Sequence, residues 1–167
     1  TFVNNVDLCP ELTMDEKTDM KGQARFLRAY CYWALMRVYG PVPLIPLEGL
    51  DVNLSYEELS LPREHFDVLV DFVDKELMEA ARSLPTKRTV NNLGRPTRGA
   101  ALGLRSRVLL FAASPLFNGN TDLFDVKDCY GNLLIAQEYD ESKWARAAAA
   151  ARDVIELAKS ADLYELY

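Results

Sequence analysis

Histidine is almost missing from this chain: His65 is the only one among 167 residues. That excludes multi-histidine metal sites and histidine triads with a second base. Beside Glu64, at the start of a helical pattern, His65 is expected at the surface. Cysteine is scarce too. Cys9, Cys31 and Cys129 are odd in number and far apart, which makes neither a disulfide framework nor a metal-ligand spacing. Cys31 falls inside an apolar helix and is expected to be a buried free thiol. No long apolar run precedes Cys9, so it does not read as a lipid-acceptor cysteine. No segment approaches the ~20 apolar residues needed to span a bilayer. Positive charge is also short, 19 Lys and Arg against 25 Asp and Glu for a net charge of −6. A nucleic-acid footprint needs a concentrated basic face and is excluded; uncharged ligands such as sugars remain open.

What the chain does have is ordinary globular composition, 49% hydrophobic, at a length sufficient for a packed core. Apolar residues recur at helical spacing in four stretches. The first runs from about Asp15 to Tyr39, with Leu27, Tyr30, Cys31, Ala34 and Val38 on the face expected to be buried. Lys21, Arg25 and Arg28 stripe another face, and Gly40-Pro41 ends the helix. The second, from about Pro62 to Ser83, carries the stripe Phe66, Leu69, Val70, Val73, Leu77, Ala80, Ala81 and Leu84. Asp67, Asp71, Asp74 and Glu79 are expected to form its solvated side, with Asp71 and Lys75 as a weak i, i+4 pair. The third follows Gly94-Arg95-Pro96, with Thr97 as N-cap and Arg98 to Ala113 as body. The fourth runs from about Asp140 to Ser160, with Trp144, Ala147, Ala148, Ala151, Val154, Ile155 and Ala158 inward. Trp33 and Trp144 are both read as core or helix-pair contacts, and Trp144 above all is expected to be buried.

The four helices read as two copies of one plan, offset by 74 positions. Leu27, Tyr30, Ala34, Leu35, Val38 and Pro41 map onto Ala101, Leu104, Val108, Leu109, Ala112 and Pro115. Stacked helix pairs bury faces that no single pair can bury alone. The expected fold is therefore all-α, with helix pairs at about 15–84 and 97–160 and long connectors at Leu44 to Leu61 and Pro115 to Tyr139. The turn Tyr130-Gly131-Asn132 leaves room for one small β-hairpin in the second connector.

Connectors of this length bind something or pack on other parts of the protein. In the second, Asn118-Gly119-Asn120-Thr121-Asp122 has the alternating oxygens that begin a calcium loop. Leu123 stands where the turn glycine belongs and no closing glutamate follows, so a polar turn is expected and no metal. The aromatic rings Phe117, Phe124, Tyr130 and Tyr139, with Asn118, are the candidate ligand-binding residues, since sugar rings stack on exposed aromatics. The competing reading is that they fasten the loop to the helices. No carboxylate pair is set out for hydrolysis of a glycosidic bond, and neither a catalytic residue nor a cofactor site is expected.

Four ordered motifs resemble the SusD/RagB family of outer-membrane nutrient-binding lipoproteins. They are Arg25-Phe26-Leu27-Arg28-Ala29-Tyr30 with Gly40-Pro41-Val42-Pro43-Leu44-Ile45, then Glu76-Leu77-Met78-Glu79-Ala80-Ala81 before Leu84-Pro85. Gly94-Arg95-Pro96-Thr97-Arg98-Gly99-Ala100-Ala101 follows, and Tyr139-Asp140 with Trp144 and its alanine-rich helix completes the set. The resemblance runs from about Lys21 to Tyr167. It implies tetratricopeptide-like helix pairs and a fragment of one larger helical domain, the remainder lying outside this chain. It also implies a non-catalytic, cell-surface lipoprotein that captures an oligosaccharide or polysaccharide and closes over a TonB-dependent outer-membrane transporter. The alternative is a helical-repeat protein–protein interaction module.

Overall fold

The computed structural model describes residues 2–51 and 53–160. The last seven positions of the family resemblance, 161–167, lie outside them. Among the described residues, four long helices dominate: α1 (Met14–Tyr39), α2 (Phe66–Ser83), α3 (Arg98–Ala113) and α4 (Ser142–Ser160). Their limits follow from local chemistry. Thr13 and Glu16 form a reciprocal capping box, Glu16 Oε2 accepting from Thr13 N at 2.9 Å while Thr13 Oγ1 accepts from Glu16 N at 3.3 Å. Gly40 ends α1 at φ 68°, a conformation that side chains with a Cβ avoid. Thr97 caps α3 as the sequence indicates, accepting from Ala100 N.

The start of α2 differs from expectation. Pro62 to Glu64 is not helical, because Glu64 N donates to Val42 O at 3.0 Å and ties this stretch to the extended segment after α1. His65 becomes the cap, its Nδ1 accepting from Asp67 N at 3.2 Å. The lone histidine is thus half-buried and used for capping.

Each long helix packs mainly on the next, α1 on α2, α2 on α3 and α3 on α4. The stripe on α2 from Phe66 to Leu84 is buried throughout, as its one-sided pattern predicts. On α1 the pattern misleads. The buried residues are Gly22, Ala29, Tyr32, Trp33 and Met36, whereas Leu27, Tyr30, Cys31, Ala34, Leu35 and Val38 face outward. Cys31 is accordingly an exposed thiol. The 74-residue correspondence therefore pairs outward residues of α1 with inward Ala101, Val108, Leu109 and Ala112 of α3. The two helix pairs are present, but in a different phase from the one the pattern gives.

On α4 the small residues make the contact, Ala147 and Ala150 being buried. Ala148 and Ile155 turn outward, and Trp144 is 40% exposed against 4% for Trp33. Alanines let α4 approach α3 too closely to hold an indole between them, so the ring lies at the edge of the seam.

Close approach also governs α1 on α2. A Cβ added at Gly22 would stand 2.9 Å from Ser83 Cβ and 3.1 Å from Leu84 Cγ. In a free helix Gly22→Ala would gain about 1 kcal/mol. Here it is expected to lower stability by about 1–2 kcal/mol, read as a reduced denaturant midpoint of the full-length protein. An unchanged or raised midpoint would show that the helices separate freely.

Candidate functional site

The second connector, Pro115 to Tyr139, is held as a shaped loop. Phe117 is buried and stacks on Phe66 at the start of α2, ring centroids 3.9 Å apart and 5° from parallel, with Phe111 5.1 Å from Phe117. Asn118 is buried as well. Its side chain donates to Asp140 O at 2.9 Å and accepts from Asp140 N at 2.8 Å, closing the loop's two ends on each other. Gly119 has φ 76° and lies so near the returning chain that a Cβ would stand 2.7 Å from Tyr139 N. Farther along, Leu134 O accepts from Phe66 N and Arg63 donates to Lys127 O, fastening the loop to the approach to α2. Isolated bridges join Asn118 to Ala136 and Lys127 to Leu133, and no strand forms among the described residues. The hairpin allowed by the sequence is reduced to one bridged turn.

This construction divides the five loop candidates. Phe117 and Asn118 are buried, their ring and amide engaged in contacts of the fold, as the competing reading has it. Phe124, Tyr130 and Tyr139 stand out in solvent on the same loop. The Asn118 to Asp122 stretch is a polar turn, Asn120 Oδ1 accepting from Asp122 N. Among the described residues no group of three or more His, Cys, Asp or Glu could hold a metal ion.

Tyr130 is presented by a turn built around one carboxylate. Asp128 accepts from the side chain of Asn132 and from the backbone N–H groups of Tyr130 and Asn132, each at 2.8 Å. The Asn132 amide is the main reason that its carboxyl is more acidic than usual, and the backbone donors add to it against slight burial. With the folded carboxyl more acidic than the free one, the turn keeps its full stabilisation above the ordinary value of 3.8. It loses that stabilisation as pH falls through the lower folded value. The amide resonances of Tyr130 and Asn132 are expected to stay unshifted until the pH is below 3.8. A midpoint at or above that value would contradict the arrangement.

On the acidic side of α2, expected to be solvated, Asp71 is exposed and Glu79 pairs locally with Arg82, but Asp67, Asp71 and Asp74 also make ion pairs to the later helices. Asp67 holds Lys143 at 2.7 Å, Asp71 holds Arg146 at 2.8 Å, and Asp74 meets Arg146 and Arg105, the latter also reaching Asp153. Asp71 is paired with Arg146 in place of Lys75. These partners lie 31 to 76 positions away, beyond any local pattern. Burial opposes the charge on Arg146, but its bonds to Asp71 and then Asp74 outweigh that and hold it firmly protonated. A crevice of about 200 Å³ lies along this row, floored by Val70, Leu109 and Ala112. Its carboxylates are already paired or capping, so the crevice offers no free acid/base couple for hydrolysis.

The family motifs prove to be structural fasteners. Arg25 and Arg28 of α1 both grip Glu76 of α2, which is only 5% exposed; Arg25 Nη1 donates at 2.9 Å and Arg28 Nε at 3.1 Å. The Arg98 of the third motif donates to Ala81 O at 2.8 Å, tying the start of α3 to the last turn of α2. Arg88, which no motif singles out, clasps Asp19 at 2.7 and 2.8 Å and also donates to Pro96 O. Tyr32 fixes the segment after α1, its hydroxyl accepting from Ile45 N.

Helix pairs joined by these clasps, with a long shaped connector between α3 and α4, define a tetratricopeptide-like helical scaffold. The chain belongs to the SusD-like family described as starch-binding and associating with the outer membrane, whose model matches residues 3–110. Among solved structures, BT4246 superposes with a TM-score of 0.86 at 32% identity, over 99% of this chain and 29% of its own length. The SusD-like protein BF3747 from Bacteroides fragilis NCTC 9343 matches at a TM-score of 0.69 and 24% identity, over 99% of this chain and 24% of its own. A laminarin-binding SusD-like protein shares the fold over 66% of this chain and 23% of its own, at 21% identity and a TM-score of 0.57. This chain thus spans less than a third of the relatives it matches. No curated protein matches it. Among the described residues no helix is long and apolar enough to cross a membrane.

Proposed function

We propose that this chain is the helical scaffold portion of a non-catalytic lipoprotein on the cell surface that captures a glycan and delivers it to a TonB-dependent outer-membrane transporter. The observation that carries this reading is the family match joined to the 32% identity across nearly the whole chain. The laminarin-binding description of one fold relative agrees with a carbohydrate ligand. The shaped connector supplies the local rationale. Its exposed Phe124, Tyr130 and Tyr139 are rings on which a sugar's C–H face could stack. In the crevice beside α2, Asp67 and Asp71 are bonded to Lys143 and Arg146 and Asp140 to Ser142 N, an arrangement that favours binding over hydrolysis by a carboxyl pair.

Gel retardation of the full-length protein in soluble polysaccharides, with recovery of co-purifying membrane proteins, tests the reading. Retardation by at least one glycan and a co-purified transporter are expected. Neither appearing would count decisively against it. Release of reducing sugar, abolished by an Asp or Glu substitution, would overturn the non-enzymatic assignment.

One observation favours a second reading, a helical-repeat module that holds a peptide. A wide, open groove of about 720 Å³ runs along α2, floored by Val68, Phe72 and Met78 and rimmed by Asp71, Lys75 and Arg146. Adjacency of the gene to one for a large outer-membrane transporter separates the two cheaply, since only the glycan reading requires it.

A further inference from the structure

The outward face of α1 presents a run of exposed apolar side chains. Leu27, Tyr30, Cys31, Ala34 and Val38 follow one another at helical spacing, with Leu27 56% and Val38 70% exposed. At 1.5 Å per residue the stripe is roughly 17 Å long. Its opposite side, Ala29, Tyr32, Trp33 and Met36, is already buried against the neighbouring helices. Between Arg28 and Arg37, from Ala29 to Met36, α1 therefore shows uncharged residues on both sides. The first half is built differently, with Asp15, Glu16, Lys17, Asp19 and Lys21 facing or approaching water. A helix segment apolar on every side belongs to an interior, and a contiguous exposed apolar patch marks a surface that something covers.

We infer that the outer stripe of α1 is an internal interface, covered in the complete protein by polypeptide of the same molecule lying outside residues 1–167. Length argues for this occupant. BT4246 superposes on nearly all of this chain yet devotes 29% of its own length to the match. A relative of that build carries more than twice as much polypeptide outside the matched region as within it. A tethered segment reaches the stripe at high effective concentration. Covering of the stripe is a matter of how the whole protein assembles and is independent of any ligand.

Cys31, set within the stripe, is a native reporter. The full-length protein, diluted until monomeric and without its transporter, is treated with N-ethylmaleimide, and labelling is located by peptide mass mapping. Cys31 is expected to react at least about tenfold more slowly than in the same protein unfolded in denaturant, protection being set by opening of the covering segment. A Val38→Cys variant is expected to be protected alongside it. Reaction of either thiol at close to its denatured rate would overturn the inference. Protection arising only with added transporter, or only at concentrations where the protein self-associates, would overturn it too, giving the stripe to that other partner.

Discussion

Replacing both arginines that hold Glu76, as Arg25→Ala/Arg28→Ala, is expected to destabilise the full-length protein by about 3–5 kcal/mol, the usual cost of stranding a buried charge. Glu76 sits at the α1–α2 seam with little access to water, and its two oxygens are divided between the two guanidinium groups. The arginines are each more than a quarter exposed, so the loss comes mainly from the carboxylate left behind and less from the pair attraction, which water screens. That asymmetry supplies a control. Arg25→Met/Arg28→Met combined with Glu76→Leu removes all three charges together and is expected to recover most of the loss. Denaturant titration reads both variants. Equal loss in the two would mean that the residues matter only for packing; no loss in the double alanine variant would mean that the clasp does not form.

Phe66→Ala is expected to cost a comparable amount, about 3–5 kcal/mol, through lost burial and the cavity left behind. Phe66 is buried at the first residue of α2 and its ring lies flat on Phe117. Its backbone N–H donates to Leu134 O, so helix start, loop start and loop return all meet at this one residue. The loss should therefore extend past the helix core to the connector. Amides from Leu116 to Leu134 are expected to exchange with solvent faster in the variant than those of α3. Uniform acceleration across both regions would place Phe66 in the general core with no special hold on the loop.

Legibility in the sequence varied with how one-sided each pattern is. The α2 stripe was readable because apolar and acidic residues separate cleanly, leaving one helical phase possible. On α1 the apolar residues occupy both sides, so periodicity fixes a helix but not the face that packs. The informative residues there are the small ones. Gly22 and Ala29 mark where the neighbouring helix comes close, while Leu27 and Val38, being larger, attract the eye to the wrong side. The same bias toward large residues placed Trp144 inside, where Ala147 and Ala150 make the contact. The ion pairs of Asp67, Asp71 and Asp74 are invisible to a local pattern for another reason, since their cationic partners on α3 and α4 are remote in sequence.

The candidate site was legible only as a location. Length, turn residues and aromatics single out the connector, but they do not say which rings point inward. Phe117 and Phe124 are seven positions apart in one loop, and burial of the first follows from a ring on α2 that no local pattern reveals. Asn118 looked like a ligand oxygen and proved to be a clamp on Asp140, 22 positions away. The family motifs, by contrast, are recognisable because most of their charged residues specify clasps between helices.

Calorimetric titration of the full-length protein with a panel of soluble polysaccharides, beside the Phe124→Ala, Tyr130→Ala and Tyr139→Ala variants, tests the glycan-capture reading most directly. At least one polysaccharide is expected to bind the wild-type protein. Each substitution that removes a stacking ring is expected to weaken binding about 2- to 10-fold, with the denaturation midpoint unchanged because these rings stand outside the core. A wild-type protein that binds no glycan, or three variants that all bind as tightly as it does, would contradict the account.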